Sequence, residues 1–194
     1  MGKSQVFAGV VGWPGGGNQT PPPGARYGVF RLAADGVQWQ QLAGGLPAEC
    51  HVPCLTVDPH DHARIYAGTD TGPYVSEDGG ESWRRLGFPR HDLQVWSIAV
   101  HPGDPQRIYV GTSPLGIFRS DDGGASFHET KGVALPDVAD MRGFRNRVMR
   151  IACNPANPEE MFAGLEVRGV IRSLDGGLTW QDCSAHLIAL AEQD

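Results

Sequence analysis

The sequence predicts an all-β fold, a β-propeller of four-stranded antiparallel blades with about four blades in the chain. Three observations predict it. Three segments repeat one another almost without gaps, their closing aromatics recur at blade-sized intervals, and turn-forming residues are spread along the whole 194-residue chain. The segments are LTVDPHDHARIYAGTDTGPYVSEDGGESWRRL from Leu55, IAVHPGDPQRIYVGTSPLGIFRSDDGGASFHET from Ile98 and IACNPANPEEMFAGLEVRGVIRSLDGGLTWQDC from Ile151. The closing aromatics Trp39, Trp83, Phe127 and Trp180 stand 44, 44 and 53 residues apart. Periods in the forties of residues, built of strand-sized apolar pieces, are propeller-blade spacings. The 27 glycines and 15 prolines are distributed rather than pooled in one linker, as many turns between many short strands require.

Each unit reads as four strands. The first ends in an x-Pro turn (Asp58-Pro59, His101-Pro102, Asn154-Pro155), the second is IYAGT or its equivalent, the third is GIFRS or its equivalent, and the fourth follows the aromatic. Ahead of them, VFAGV (6–10) and YGVFRLAADGVQWQQL (27–42) form a worn copy, split by the insertion 12–26. The predicted blades are 1–43, 44–87, 88–131 and 132–184 of one partial propeller domain, with 185–194 opening a further blade. Closed propellers usually carry more blades than this. The chain is therefore expected to be the N-terminal part of a longer propeller, and the alternative is a ring closed by two chains. Uncovered terminal blade faces are expected to favour self-association.

Between third and fourth strands lie SEDGGESW (76–83), SDDGGASF (120–127) and SLDGGLTW (173–180). In a hairpin, Gly takes the positive-φ positions, and Asp78, Asp122 and Asp175 accept bonds from turn amides. The aromatic packs between blades. The worn copy keeps Asp35, Gly36 and Trp39 but shifts the Asp by one, so a different turn is expected there. These octapeptides resemble the Asp box, S/T-x-D-x-G-x-T/S-W, of bacterial neuraminidase (BNR) repeats. The structural positions are Ser76, Asp78, Gly80 and Trp83, then Ser120, Asp122, Gly124 and Phe127, then Ser173, Asp175, Gly177 and Trp180. The resemblance covers most of the chain. It extends to sialidases, xyloglucanase-type glycosidases, sortilin-type receptors and, most of all, bacterial photosystem II assembly factor-like proteins. It implies a shared fold and leaves function to the site.

A formal charge of −6 gives the surface no reason to seek nucleic acid or anionic lipid, and no apolar stretch reaches bilayer length. No secretory signal stands at the start, which makes the cytoplasm the expected location. Cys50, Cys54, Cys153 and Cys183 are too few for a disulfide framework. Cys50-His51-x-x-Cys54 carries ligand types at close spacing, but no second cluster completes four ligands. No metal and no cofactor are expected.

Propeller topology places the octapeptide turns on one face. The turns between second and third strands, and the approaches to each first strand, lie on the other, where ligands converge. After the second strand stand Asp70, Ser113 and Glu166, with Arg168 beyond; before the first strands stand His51, Gln94 and Arg147, then Cys54, Ser97 and Arg150. Arg142 and Arg145 precede these, and the insertion offers Trp13. Arg147, Arg150, Arg168, Trp13 and Trp96 are the candidate ligand-binding residues. Arg forks suit carboxylate or phosphate, and Trp suits a sugar ring. The competing expectation is that the arginines pair with Asp137, Asp140 and Glu166 and pin the long loop. The sialidase pattern, with three clamping arginines and an Arg-Ile-Pro motif, is not found. Xyloglucanase-type enzymes place a catalytic Asp in a T-D-x-G turn, and Thr69-Asp70-Thr71-Gly72 is similar, which makes Asp70 and Glu166 the candidate carboxylates. The expected function is a non-catalytic recognition or assembly platform for a protein, carbohydrate or anionic small ligand. The alternative is a glycoside hydrolase.

Overall fold

The computed structural model describes residues 5–11, 26–33, 36–133, 146–167 and 169–185. Fifteen short strands in this part of the chain form four antiparallel sheets whose strands follow sequence order. Blade 1 holds β1 (Phe7–Val10), β2 (Gly28–Leu32) and β3 (Trp39–Leu42). Blade 2 holds β4 (Cys54–Val57), β5 (Ile65–Thr69), β6 (Gly72–Ser76) and β7 (Arg84–Arg85). Blade 3 holds β8 (Gln94–His101), β9 (Asp104–Ser113), β10 (Gly116–Ser120) and β11 (His128–Glu129). Blade 4 holds β12 (Val148–Asn154), β13 (Asn157–Leu165), β14 (Gly169–Ser173) and β15 (Gln181–Asp182). The fold is all-β and a partial β-propeller, as the repeats predict.

Blades cannot bury their flat apolar faces alone, so the core lies between them. Three apolar clusters each draw on two neighbouring blades: Val29 and Leu42 with Ile65 and Trp83, Tyr66 and Val75 with Ile108 and Phe127, and Tyr109 and Ile117 with Met161 and Trp180. One contact recurs at every joint. A Cβ on Gly9 would meet Val52 Cγ1 at 2.9 Å, on Gly68 Val95 Cγ1 at 2.7 Å, and on Gly111 Val148 Cγ1 at 2.6 Å. In blades 1 to 3 the strand that carries this glycine (β1, β5 or β9) offers a hole, and a buried valine of the next blade fills it. A backbone bond reinforces each joint: Trp83 N donates to Gly44 O (2.7 Å), Gly87 N to Gly124 O (2.8 Å) and Trp180 N to Lys131 O (3.0 Å).

The three octapeptide turns are superimposable in their bonding. Ser76 Oγ donates to Asp78 Oδ1 (2.7 Å) and accepts from Gly80 N (2.7 Å), while Asp78 accepts Ser82 N (2.9 Å) and Ser82 Oγ (2.5 Å). Ser120, Asp122, Gly124 and Ser126 repeat this, as do Ser173, Asp175, Gly177 and Thr179. Both glycines take positive φ in each turn, +72° and +95° at Gly79 and Gly80 for example, which a side chain would strain. Trp83, Phe127 and Trp180 are buried in the joints, whereas Trp39 of the worn blade is 48% exposed.

Candidate functional site

Two irregularities in the innermost strands build the site. β8 slips against β9 between Val95 and Ser97, and β12 slips against β13 between Val148 and Arg150. The supernumerary residues are Trp96 and Met149. A bulge turns one side chain out of the inward–outward alternation and aims it elsewhere. The matching tripeptide of blade 2 is Val52-Pro53-Cys54, with a proline that has no amide to give. Pro53, Trp96, Met149 and Arg150 line one hollow of about 240 Å³, together with Leu55, Thr56 and Ile98. A second, shallower hollow of about 390 Å³ continues along the same wall and shares Arg150. The wall is tied across blades: Thr56 Oγ1 donates to Ile98 O (2.8 Å), and Ile151 N donates to Ser97 Oγ (3.0 Å). Ser97, a match for Arg150 in the repeat, thus serves the joint.

Arg147, Trp96 and Glu166 form a cluster beside the hollow. The Arg147 guanidinium carbon lies 3.9 Å from the Trp96 ring centroid, and its Nε is bonded to Glu166 Oε2. Glu166 N in turn donates to Arg147 O (3.0 Å), which fixes the β13–β14 turn on the approach to β12. The pairing expectation therefore holds for Arg147 and Glu166. The cation covers one face of the indole, a contact worth about 0.5–2 kcal/mol depending on desolvation. Asp137, Asp140, Arg142, Arg145, Arg168 and Trp13 lie outside the described residues. Arg150 is exposed, and no ion pair holds it among the described residues.

Asp70 sits at the tip of the β5–β6 hairpin, at the same end of the blades as Glu166. Its amide donates to His51 O (3.2 Å), and the turn is braced by Thr69 Oγ1, which donates to Gly72 O (2.8 Å) and accepts Thr71 N (3.0 Å). Asp70 is half-buried, and its Oδ1 is buried without a hydrogen-bond partner among the described residues. Burial, helped by the Asp70 charge, pushes the Cys50 thiol up to about 11; burial pushes Cys54 up to about 12. Neither gives a thiolate near neutral pH. All four cysteines are free thiols.

The octapeptide carboxylates are at the opposite end and are occupied. The Ser82 and Ser126 hydroxyls, followed by the amides of the same residues, hold Asp78 and Asp122 down to about 2. At Asp175 partial burial opposes the Thr179 hydroxyl and amide, and the hydrogen bonds win, again at about 2. Sequence reasoning missed Pro53 and Met149. The signal was present, since the tripeptides VPC, VWS and VMR align before the first strands, but only the bulge shows that their middle residues face one hollow.

No family model matches this chain. It is 35% identical over 102 residues to a xyloglucanase of Hypocrea jecorina, covering 51% of this chain and 12% of that protein. To the oligoxyloglucan-reducing end-specific xyloglucanase of Emericella nidulans it is 28% identical over 146 residues, 69% of this chain and 18% of that protein. Among solved structures it resembles an ancestral GH74 enzyme with a TM-score of 0.66 and 25% identity, over 79% of this chain and 21% of that one. The chain thus spans about a fifth or less of the length of these relatives.

Proposed function

We propose that this chain is part of a propeller glycoside hydrolase that acts on a xyloglucan-type polysaccharide, with its octapeptide turns as Asp boxes and its site at the opposite end. One observation carries the reading. Asp70 stands in a T-D-x-G turn, half-buried, with a carboxylate oxygen that no group among the described residues satisfies. A buried acceptor left open is costly unless a ligand or water meets it. The xyloglucanase likeness of the chain supports the substrate class. In this reading Asp70 is one of the two carboxylates that glycoside hydrolysis requires. Glu166 is not the second, because its charge is spent on Arg147. Pro53, Trp96 and Met149 give the apolar shelf for sugar-ring faces, and Arg150 donates to ring hydroxyls.

Binding of xyloglucan oligosaccharides by calorimetry and release of reducing ends test this together. Asp70→Asn is expected to lower turnover by about 10²–10⁴-fold, the usual contribution of a positioned acid or base, with binding retained. Trp96→Ala is expected to weaken binding. Absence of both binding and hydrolysis would sink the proposal. Binding without hydrolysis points to the second reading, a non-catalytic recognition platform, which the Arg147–Glu166 pairing favours by leaving Asp70 without a described partner carboxylate.

A further inference from the structure

Three residues hold the same place at the x-Pro turn after the first strand: Asp58 in blade 2, His101 in blade 3 and Asn154 in blade 4. In each, the side chain accepts the amide two residues on. Asp58 Oδ1 accepts His60 N (2.8 Å), Asn154 Oδ1 accepts Ala156 N (2.9 Å), and His101 Nδ1 accepts Gly103 N (3.2 Å). An aspartate or asparagine oxygen keeps its lone pair from neutral to mildly acid pH. An imidazole accepts only through a bare nitrogen, so His101 is neutral here and carries its proton on Nε2.

The ring lies in the joint between blades 3 and 4, its side chain 6% exposed. Nε2 has no hydrogen-bond partner among the described residues and stands 3.7 Å from Glu159 Oε1 on β13. Arg107 Nη1 of β9 already holds that oxygen (2.7 Å), an ion pair that ties blade 3 to blade 4. Asp104 Oδ2 and Asp121 Oδ1 stand 3.9 and 3.7 Å from Arg107 Nε, and Cys153 of β12 feels both Glu159 and Arg107. From blade 2, His60 Nε2 donates to His101 O (2.9 Å). Burial first, then the Arg107 charge, hold the imidazole's titration below its ordinary value near 6.5, against the pull of Glu159, Asp104 and the nearby Pro158 carbonyl.

We propose that His101 is a proton-operated latch on the joint between blades 3 and 4, closed while its ring is neutral and released when the ring takes up a proton. The proton goes to Nδ1, the bare ring nitrogen. Nδ1–H then faces Gly103 N–H, donor against donor, and the turn loses its bond. The charged ring also draws Nε2–H towards Glu159, in competition with Arg107. Either movement breaks a bond that holds the turn or the joint. Asp58 and Asn154 go on accepting over the same pH range, so the effect belongs to this joint. Because the closed joint holds the neutral ring, it is fully latched above the ordinary value near 6.5 and loosens as pH falls below it. One proton changes the opening constant by at most about tenfold per pH unit. None of these residues belongs to the candidate hydrolase site.

The test is hydrogen exchange on the whole protein that carries this chain, followed from about pH 7 to about pH 5 and corrected for the intrinsic pH dependence of exchange. The amides to follow are Gly103 and, bonded across this joint, Lys131 (to Leu178 O) and Trp180 (to Lys131 O). They are expected to lose protection as pH falls, by up to about tenfold per unit, while the His60 amide of blade 2 keeps its own. His101→Asn copies blade 4 and should make the protection independent of pH. His62→Asn, at an exposed histidine, should leave the wild-type response. Nitrogen NMR of the wild-type histidine rings reads the same event without a variant: a bare His101 Nδ1 at neutral pH, titrating in step with the loss of Gly103 protection. Protection independent of pH in the wild type, an equal response in His101→Asn, a response removed by His62→Asn, or a proton on Nδ1 at neutral pH would each overturn the proposal.

Discussion

At the residue scale, the same side-chain type does opposite work at the two ends of a blade. Asp78, Asp122 and Asp175 have their oxygens met by turn hydroxyls and amides, whereas Asp70 has one oxygen open among the described residues. The turn carboxylates are held at about 2, below the usual value near 3.8. A depressed folded-state value means stability that is present above the unfolded pKa and lost as pH falls through the folded one. The turns are therefore expected to stay intact down to about pH 4 and to open between there and about pH 2, read as rising exchange of the Ser82, Ser126 and Thr179 amides. Asp122→Ala removes acceptors from Ser126 N and both hydroxyls, and is expected to lower stability by about 0.5–2 kcal/mol, by analogy with lost side-chain caps. Arg150→Ala is expected to stay within about 0.5 kcal/mol of wild type, as exposed substitutions do. Thermal melts compare the two, and a larger loss from Arg150→Ala would make that residue scaffold. The turn aspartates were legible in the sequence because they recur in register. The difference between Asp70 and Glu166 was not, since it depends on Arg147, 19 residues before Glu166 in the sequence, pairing with that carboxylate.

At the scale of the element, the joint carries the stability, and its components are small. Gly111→Ala places a methyl against Val148 and is expected to cost about 1–3 kcal/mol, the range for overpacked cores, whereas Gly164→Ala meets nothing among the described residues. That second change is expected to be neutral or to stabilise by about 0.4–1 kcal/mol through the unfolded state. Denaturant titrations of the two variants check the contrast. Strand identities and blade order followed directly from the repeated IYAGT and GIFRS segments and their turns. The bulges at Trp96 and Met149 did not. A single extra residue leaves the apolar pattern of VWSIAV and VMRIAC looking like an ordinary strand, and only the pairing with β9 and β13 reveals the slip.

For the whole molecule, each apolar cluster among the described residues joins two neighbouring blades, so stability is a sum of blade and joint terms rather than one shared core. Weakening one joint should then release one end. In Gly111→Ala, hydrogen exchange is expected to accelerate across β12–β15 while β4–β7 keeps its protection; uniform acceleration would instead mark a single cooperative unit. The fold was legible at this scale because periodicity is a property of the whole chain. The contrast between blades 3 and 4 was not, since Gly164 and Phe162 differ from Gly111 and Tyr109 in what surrounds them among the described residues and not in what they are. The glycine-and-valine joint has an evolutionary corollary. Because each unit brings a hole on one side and a plug on the other, a duplication or deletion of one whole period leaves every junction matched, whereas a gain or loss of part of a period breaks two. Descent by unequal recombination at this spacing could change the size of the assembly in single steps without inventing a new interface.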